Sequence, residues 1–499
     1  MKNLFWVQIA FIAILITGSG YAEVDPPALK LGGLSALRLG QVVKGESETV
    51  LGTESKNTNV WIQQLDLGLS LEATFKHVPA VGKIGLEMVV NTDNAHYAGD
   101  LGKSRIINRS IYPSQADLLF TMLDNDRSRL ELDVGYFQYK YNSDVRNLGE
   151  YLFRSGTYPP HLITEFDYPM ARLLGLRFGG SLLESKLNFD VILTTNYEWT
   201  AIGDINLSGI FSWKPHPVFE LGVGGSWNSL ISVDIDNTTP LDPSSQYLAY
   251  DPKVGDTAIY NYTFAGQKLM GRFAFDILKL FPENDFFGKE DFKLYAETAI
   301  LGLINYPISR DSLTRYDDIW ERIPIMFGFN WPTHPLLSYT VAPAFLTIGL
   351  NNDGKITGAN FIKPSTFIAA GAGALSGIGL WLLEKKFNIK TGLDVLSFEV
   401  EYYGYPYPNN LNPLRFDNVP IPLSSMQKEM TRAYTNMHQD DWKWSVYFKK
   451  TIADNFFIRG QFARDHFRWF RANYAATDGK EAFRQNDEWY FMFKFGYSF

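Results

Sequence analysis

The sequence predicts an all-β chain: a single large antiparallel β-barrel that crosses a membrane with roughly 14–18 strands. Three observations predict it. An export signal opens the chain, runs of alternating apolar and polar residues recur through it, and a run with an aromatic at every second position closes it.

The export signal comes first. Lys2 supplies a short positive region, and Leu4–Ile16 is a run of 13 residues, apolar except for Gln8. Small residues between Thr17 and Ala22 then suit cleavage after Ala22, so 1–22 is expected to be a removable signal peptide. The apolar run is shorter than the roughly 20 residues a spanning helix needs. The mature protein, 23–499, is then one barrel, with 23–34 as a short lead and Ser35–Gly45 as the expected first strand. The lead is too short for a separate plug domain.

Composition agrees. The chain has no cysteine, and aromatics make up 15% of it, with 37 Phe, 27 Tyr and 12 Trp. Mean hydropathy is nevertheless −0.14, far below that of a helical membrane protein. A barrel tolerates this because every second strand residue faces a polar interior. A net charge of −8 argues against nucleic acid as a partner.

The alternation itself is plain. Leu65, Leu67, Leu69, Leu71, Ala73 and Phe75 alternate with Asp66, Gly68, Ser70, Glu72, Thr74 and Lys76. The pattern repeats at Ile84–Val90, Leu130–Tyr136, Leu187–Leu193 and Leu396–Tyr402. This is the two-residue period of strands, not the 3.6-residue period of helices. Two hairpins can be read directly, Leu174–Phe178 turning through Glu184–Lys186 into Leu187–Val191, and Ile205–Trp213 turning through Lys214–Pro217 into Phe219–Val223. By contrast Thr92–Ser114, Tyr141–Asp167, Ser232–Tyr260 and Tyr403–Asp441 read as long polar loops. Short turns on one side and long loops on the other suit an outer-membrane barrel.

One stretch, 336–386, breaks the pattern. Phe367–Leu383 is apolar on both faces and ends in Glu384-Lys385-Lys386, and Leu336–Leu350 is similarly apolar. A small helical insertion in the lumen or beside the barrel is the favoured reading. At the C-terminus Trp489, Phe491, Phe493, Phe495, Tyr497 and Phe499 share one face. Such a face is an aggregation hazard in water and an ordinary outer wall in lipid.

With its signal peptide, alternating strands and Trp489–Phe499, the chain resembles porin-like bacterial outer-membrane barrels. The resemblance is one of class and names no particular family. It implies outer-membrane localisation, contact with lipid, and recognition of the terminal strand by the barrel-assembly machinery.

A barrel of this size has a lumen too wide for wall side chains alone to fill. The leading expectation is therefore a channel passing small hydrophilic solutes, constricted by a loop folded inward. The alternative is a non-channel anchor whose long loops bind polysaccharide or a protein partner. The constriction is expected in Gly135–Pro160, from Lys140, Asp144, Arg146, Glu150, Tyr151 and Arg154, where mixed charges set up a transverse field. Glu72, Glu87, Glu131, Asp133, Arg177, Arg272, Asp276 and Glu297 are expected on the lumen face, with Asp190, Glu220 and Lys293. On the lipid face each charge would cost about 2–4 kcal/mol near the midplane. Acids outnumber bases in that set, which predicts a weak cation preference. Seven scattered histidines show no metal spacing, and no GxSxG occurs. Neither Asp93-Asn94-Ala95-His96 nor Arg464-Asp465-His466 amounts to a catalytic constellation, so no enzyme activity, metal or cofactor is expected. The oligomeric state is left open by the sequence.

Overall fold

A computed structural model describes residues 27–44, 46–48, 54–56, 60–75, 78–93, 106–153, 162–163, 170–195, 205–231, 246–251, 255–261, 266–282, 286–301, 303, 307–309, 312–315, 323–340, 364–387, 391–403, 412–413, 420–421, 442–452, 455–465 and 488–499. The signal peptide expected over 1–22 lies outside them. Sixteen strands form one closed antiparallel barrel. They are β1 (Ala28–Lys44), β2 (Val60–Thr74), β3 (Ala80–Asp93), β4 (Ile106–Asn125), β5 (Ser128–Tyr139), β6 (Met170–Leu182), β7 (Leu187–Thr195) and β8 (Ile205–His216). The second half comprises β9 (Phe219–Ile231), β10 (Gly266–Asp276), β11 (Lys293–Ile300), β12 (Pro324–Asn330), β13 (Val395–Tyr403), β14 (Trp442–Ile452), β15 (Phe456–Arg464) and β16 (Trp489–Ser498). A two-residue stub, Leu162–Ile163, adds to β6.

Each strand pairs with its neighbours in sequence, and β1 pairs with β16 to close the ring. Closure leaves no open sheet edge, which a lipid environment requires. The register turns the alternation into two walls. Phe495, Leu37, Leu65 and Val90 are successive cross-strand partners on the outside, whereas Lys494, Arg38, Gln64 and Asn91 are successive partners one residue away. Leu37 is 42% exposed and Arg38 only 9%, so the apolar row faces outward and the polar row inward. A one-residue slip would exchange the two sets, which is why the register is strongly specified.

The even strand number puts both ends of the barrel on one rim. That rim also carries the tight connections β2–β3, β4–β5, β6–β7, β8–β9 and β14–β15. In outer-membrane barrels the rim with the short turns is the one that faces the periplasm. Both predicted hairpins are present, as β6–β7 and β8–β9.

The structure changes three boundaries. β1 begins at Ala28, so most of the expected lead 23–34 is strand. Ile106–Ser114, read as loop, belongs to β4, the longest strand with 20 residues. Its polar residues hid the strand, since ladder bonds to β3 do not depend on side-chain hydropathy. Within Ser232–Tyr260 a small hairpin pairs Gln246–Asp251 with Asp256–Asn261. The apolar stretch is helical as read: α1 covers Pro364–Phe387, and 335–340 also forms helix. Residues 341–350 lie outside the described set.

Candidate lumen site

Past Tyr139 the chain does not continue outward. Residues Tyr141–Phe153 fold into the lumen, where Val145, Leu148, Leu152 and Phe153 are at most 2% exposed. They pack with wall residues of β5 to β12, among them Phe137, Leu173, Ile192, Ile210, Met270 and Met326. One half of the barrel interior is therefore an apolar core. Two consecutive residues with positive φ, Gly149 at 93° and Glu150 at 61°, bend the segment back on itself. A Cβ on Gly149 would stand 3.0 Å from the Met326 methyl, so the turn also needs the missing side chain.

Carboxylates of the far wall hold the segment. Glu399 on β13 accepts hydrogen bonds from the backbone N–H groups of Arg146, Asn147 and Leu148 at 2.5, 2.8 and 2.8 Å. Glu297 on β11 accepts from the Tyr141 hydroxyl (2.5 Å), Asn142 Nδ2 (2.7 Å) and the Tyr151 N–H (2.9 Å). Glu401 accepts from the Tyr151 hydroxyl at 2.6 Å, and Asp465 from Asn147 Nδ2 at 2.5 Å. β5 and β13 are eight strands apart in the ring of sixteen, so the segment reaches the opposite wall. Charge-assisted bonds of this kind are worth about 1.5–3 kcal/mol each. They also satisfy a buried backbone that would otherwise be orphaned.

The wall is shaped for this work. Tyr295 on β11 lies across Gly328 of β12, where any Cβ would collide with its ring. Its hydroxyl thereby reaches Ser397 Oγ (2.6 Å) and Glu399 (2.9 Å) two strands away. Lys268 Nζ donates to the Leu152 carbonyl at 3.0 Å, and Lys293 pairs with Asp144.

The expected constriction residues are thus placed as follows. Lys140 Nζ donates to the Val145 carbonyl (2.5 Å), Arg146 pairs with Glu290 (3.3 Å), and Glu150 is buried and accepts from the Asn142 N–H (2.7 Å). Asp144 and Tyr151 face the far wall as described, and Arg154 lies outside the described residues. Of the expected lumen set, Arg177 pairs with Asp190 and Arg272 with Glu220, while Glu131 is held by Arg129 and Glu87 by Arg172. Asp276 pairs with Lys279, Asp133 is buried, and Glu72 stands opposite Lys83 in register. Of that set, Glu297 and Lys293 touch the inward segment.

Sequence reasoning missed Glu399, Glu401, Asp465 and Tyr295. Strand parity was the available signal, since Ser397, Glu399 and Glu401 share a face opposite Phe398, Val400 and Tyr402.

A second missed feature lies on the other half of the wall. Lys449, Arg459, Lys494 and Arg38 are successive cross-strand partners from β14 through β15 and β16 to β1. Asp66 lies beside the end of this row, 2.5 Å from Arg38 and 3.7 Å from Lys494. Like charges placed directly opposite one another destabilise a sheet, so the row costs stability. At the short-turn rim, outside the barrel strands, burial raises the Asp291 carboxyl above its ordinary value despite bonds from the Gly288 and Thr333 N–H groups. Burial also lowers the nearby His334 imidazole. Among the described residues no cluster of His, Asp and Glu suits a metal ion.

The sequence matches no family model and no curated protein. Solved structures with a similar chain path include a mutant porin of Rh. blastica, at TM-score 0.39 and 7% identity over 95% of this chain and 100% of that one. Another is Salmonella typhi OmpF in complex with daunomycin, at TM-score 0.41 and 10% identity over 95% and 98%. Closure of the ladder, the two-walled register and the unequal rims make this chain a sixteen-stranded antiparallel β-barrel with an apolar outer wall.

Proposed function

We propose that this protein is a channel for small hydrophilic solutes, narrowed by the inward segment 140–153. The observation that carries the reading is the hold of Glu297, Glu399 and Glu401 on that segment from the wall opposite its root. A segment so placed divides the lumen into a filled half, β5–β12, and a half lined by β13–β16 and β1–β4. Solutes pass through the second half.

The sign of selectivity follows from the local potential along the half of the lumen left for passage. Counting acids gave a weak cation preference. Yet Glu297, Glu399, Glu401 and Asp465 are occupied by the segment, while the basic row lines the half left for passage. We therefore infer a mild anion preference, because the local potential and not the total charge selects in a narrow lumen.

Single-channel conductance of the refolded protein in planar bilayers, with reversal potential in a salt gradient, tests both statements. Discrete steps with an anion-favouring reversal potential support them. Cation preference refutes the inference on sign and leaves the channel standing. A silent but folded barrel refutes the channel and favours a surface anchor acting through its long loops.

A further inference from the structure

The connection between β12 and β13 is the one long excursion on the periplasmic rim. It leaves at Asn330 and returns at Val395, on neighbouring strands. At its base the Leu393 N–H donates to the Thr333 carbonyl at 3.1 Å, so the chain between them is a hairpin hung from the rim. We propose that α1 of this hairpin lies immersed in the periplasmic leaflet of the membrane beside the barrel, an accessory lipid anchor outside the pore.

The helix surface gives the first argument. A narrow stripe, Gly373 and Gly377, is covered; a Cβ on Gly377 would stand 2.6 Å from the Pro335 carbonyl oxygen. Elsewhere the helix bares large apolar side chains, with Ile368 72% and Leu375 73% exposed and Ile378, Leu382 and Leu383 exposed beside them. Until Glu384 it carries no charged residue. A helix apolar around its circumference belongs in a protein core or in lipid, and leaving this much apolar surface in water is unfavourable.

The position of the root says which cover is at hand. An aromatic chain leads from the lipid-facing wall to the hairpin. Phe329 shares the outward parity of Phe327, which is 55% exposed. From Phe329 ring contacts run to Phe292 at 6.4 Å, on to Phe287 at 5.1 Å, Phe286 at 5.0 Å and His334 at 3.8 Å. Trp331 joins Phe329 from the hairpin side at 5.9 Å. The hairpin is therefore rooted on the outer face of the wall, in the aromatic belt where barrel meets headgroups.

The end of the helix fits the same boundary. Lys385 sits 4.1 Å over the Trp381 ring, and Lys386 follows. Cations at a helix C-terminus oppose its dipole and attract anionic headgroups, and Trp favours the interface. Both ends of the hairpin return to one rim, and no described helix is long and apolar enough to cross a membrane. Immersion in one leaflet satisfies all of these observations.

The cysteine-free chain makes the test direct. Leu375→Cys and Ile378→Cys are made singly, labelled with an environment-sensitive fluorophore, and the whole protein is refolded into phosphatidylglycerol-containing vesicles. Heat-modifiable migration verifies the barrel. Leu86→Cys on the outer wall gives the lipid reference, and Arg127→Cys in the β4–β5 turn gives the water reference on the same rim. The expected result is quenching by spin-labelled phospholipid comparable to the Leu86→Cys reference, with iodide quenching severalfold weaker than at Arg127→Cys. Iodide quenching equal to that of the turn overturns the proposal. So does protection from both quenchers: with cross-linking between copies it assigns the face to a second copy, and without cross-linking to a contact within the chain. None of these readouts depends on whether the barrel conducts.

Discussion

Two insertions interrupt this barrel, and they solve opposite problems. The segment 140–153 enters from the long-loop side carrying polar backbone into a confined space, and wall carboxylates satisfy it. The hairpin around α1 leaves from the short-turn side carrying apolar side chains outward, and no described wall residue covers Ile368 or Leu375. The barrel wall itself explains the contrast. Its inner face offers hydrogen-bond acceptors and its outer face offers contact with lipid, so each insertion has the composition of the face it serves.

The comparison breaks most readily at Glu399. Glu399→Ala strips three buried N–H groups and Tyr295 of their acceptor, a loss of about 3 kcal/mol or more. The segment is then expected to detach, with larger single-channel conductance and new protease cleavage between 140 and 153. Unchanged conductance and protease resistance would show that the apolar packing alone suffices. A smaller effect is expected at the turn. Gly149→Val places a branched Cβ at φ 93° against Met326 and Val145, costing about 1–3 kcal/mol. Conductance should become noisy between two levels while thermal unfolding of the barrel shifts little.

The basic row sharpens the difference between the two lumen halves. Arg38→Gln leaves Asp66 with Gln64 and Lys494, one cation fewer, and reversal potential should move toward cations without a change in fold. The same substitution at Lys268, which lies on the filled side against Leu152, should move selectivity less. The smallest effect on the pore is expected from excising the hairpin. Thr333 and Leu393 are already hydrogen-bonded, so a short turn joining them should preserve conductance within experimental scatter while lowering retention in vesicles washed with mild detergent. A changed conductance would place the hairpin under the pore mouth.

Much of this molecule was legible in its residues because a two-faced wall imposes a two-residue period. Leu65–Phe75 and Trp489–Phe499 announce their faces without help from any neighbour. At 140–153 the residues mark where the alternation of β5 stops, since Tyr, Asn and charged residues directly follow it. What could not be read was the identity of this segment's partners. Glu399 and Asp465 come more than 250 and 310 positions after Asn147, and only ring closure brings them together. The basic row was hidden for a related reason, since its four members come from four strands and each looks unremarkable alone. The length of β4 escaped because Asn108, Arg109, Ser110 and Gln115 mask its ladder.

Ring closure carries a cost in time. The last strand, β16, pairs Ser498 with Leu34 of β1 and Tyr497 with Phe456 of β15. The second pairing is local, whereas the first encloses nearly the whole barrel, at an entropic cost of roughly 5 kcal/mol for an unguided chain. Fifteen of the interfaces between strands can form between near neighbours, and only the β1–β16 interface must await them all. Assembly of this protein should therefore show one late, slow phase that reports on the β1–β16 seam, and kinetic defects from substitutions at Leu37 or Phe495 should exceed their effect on the finished barrel.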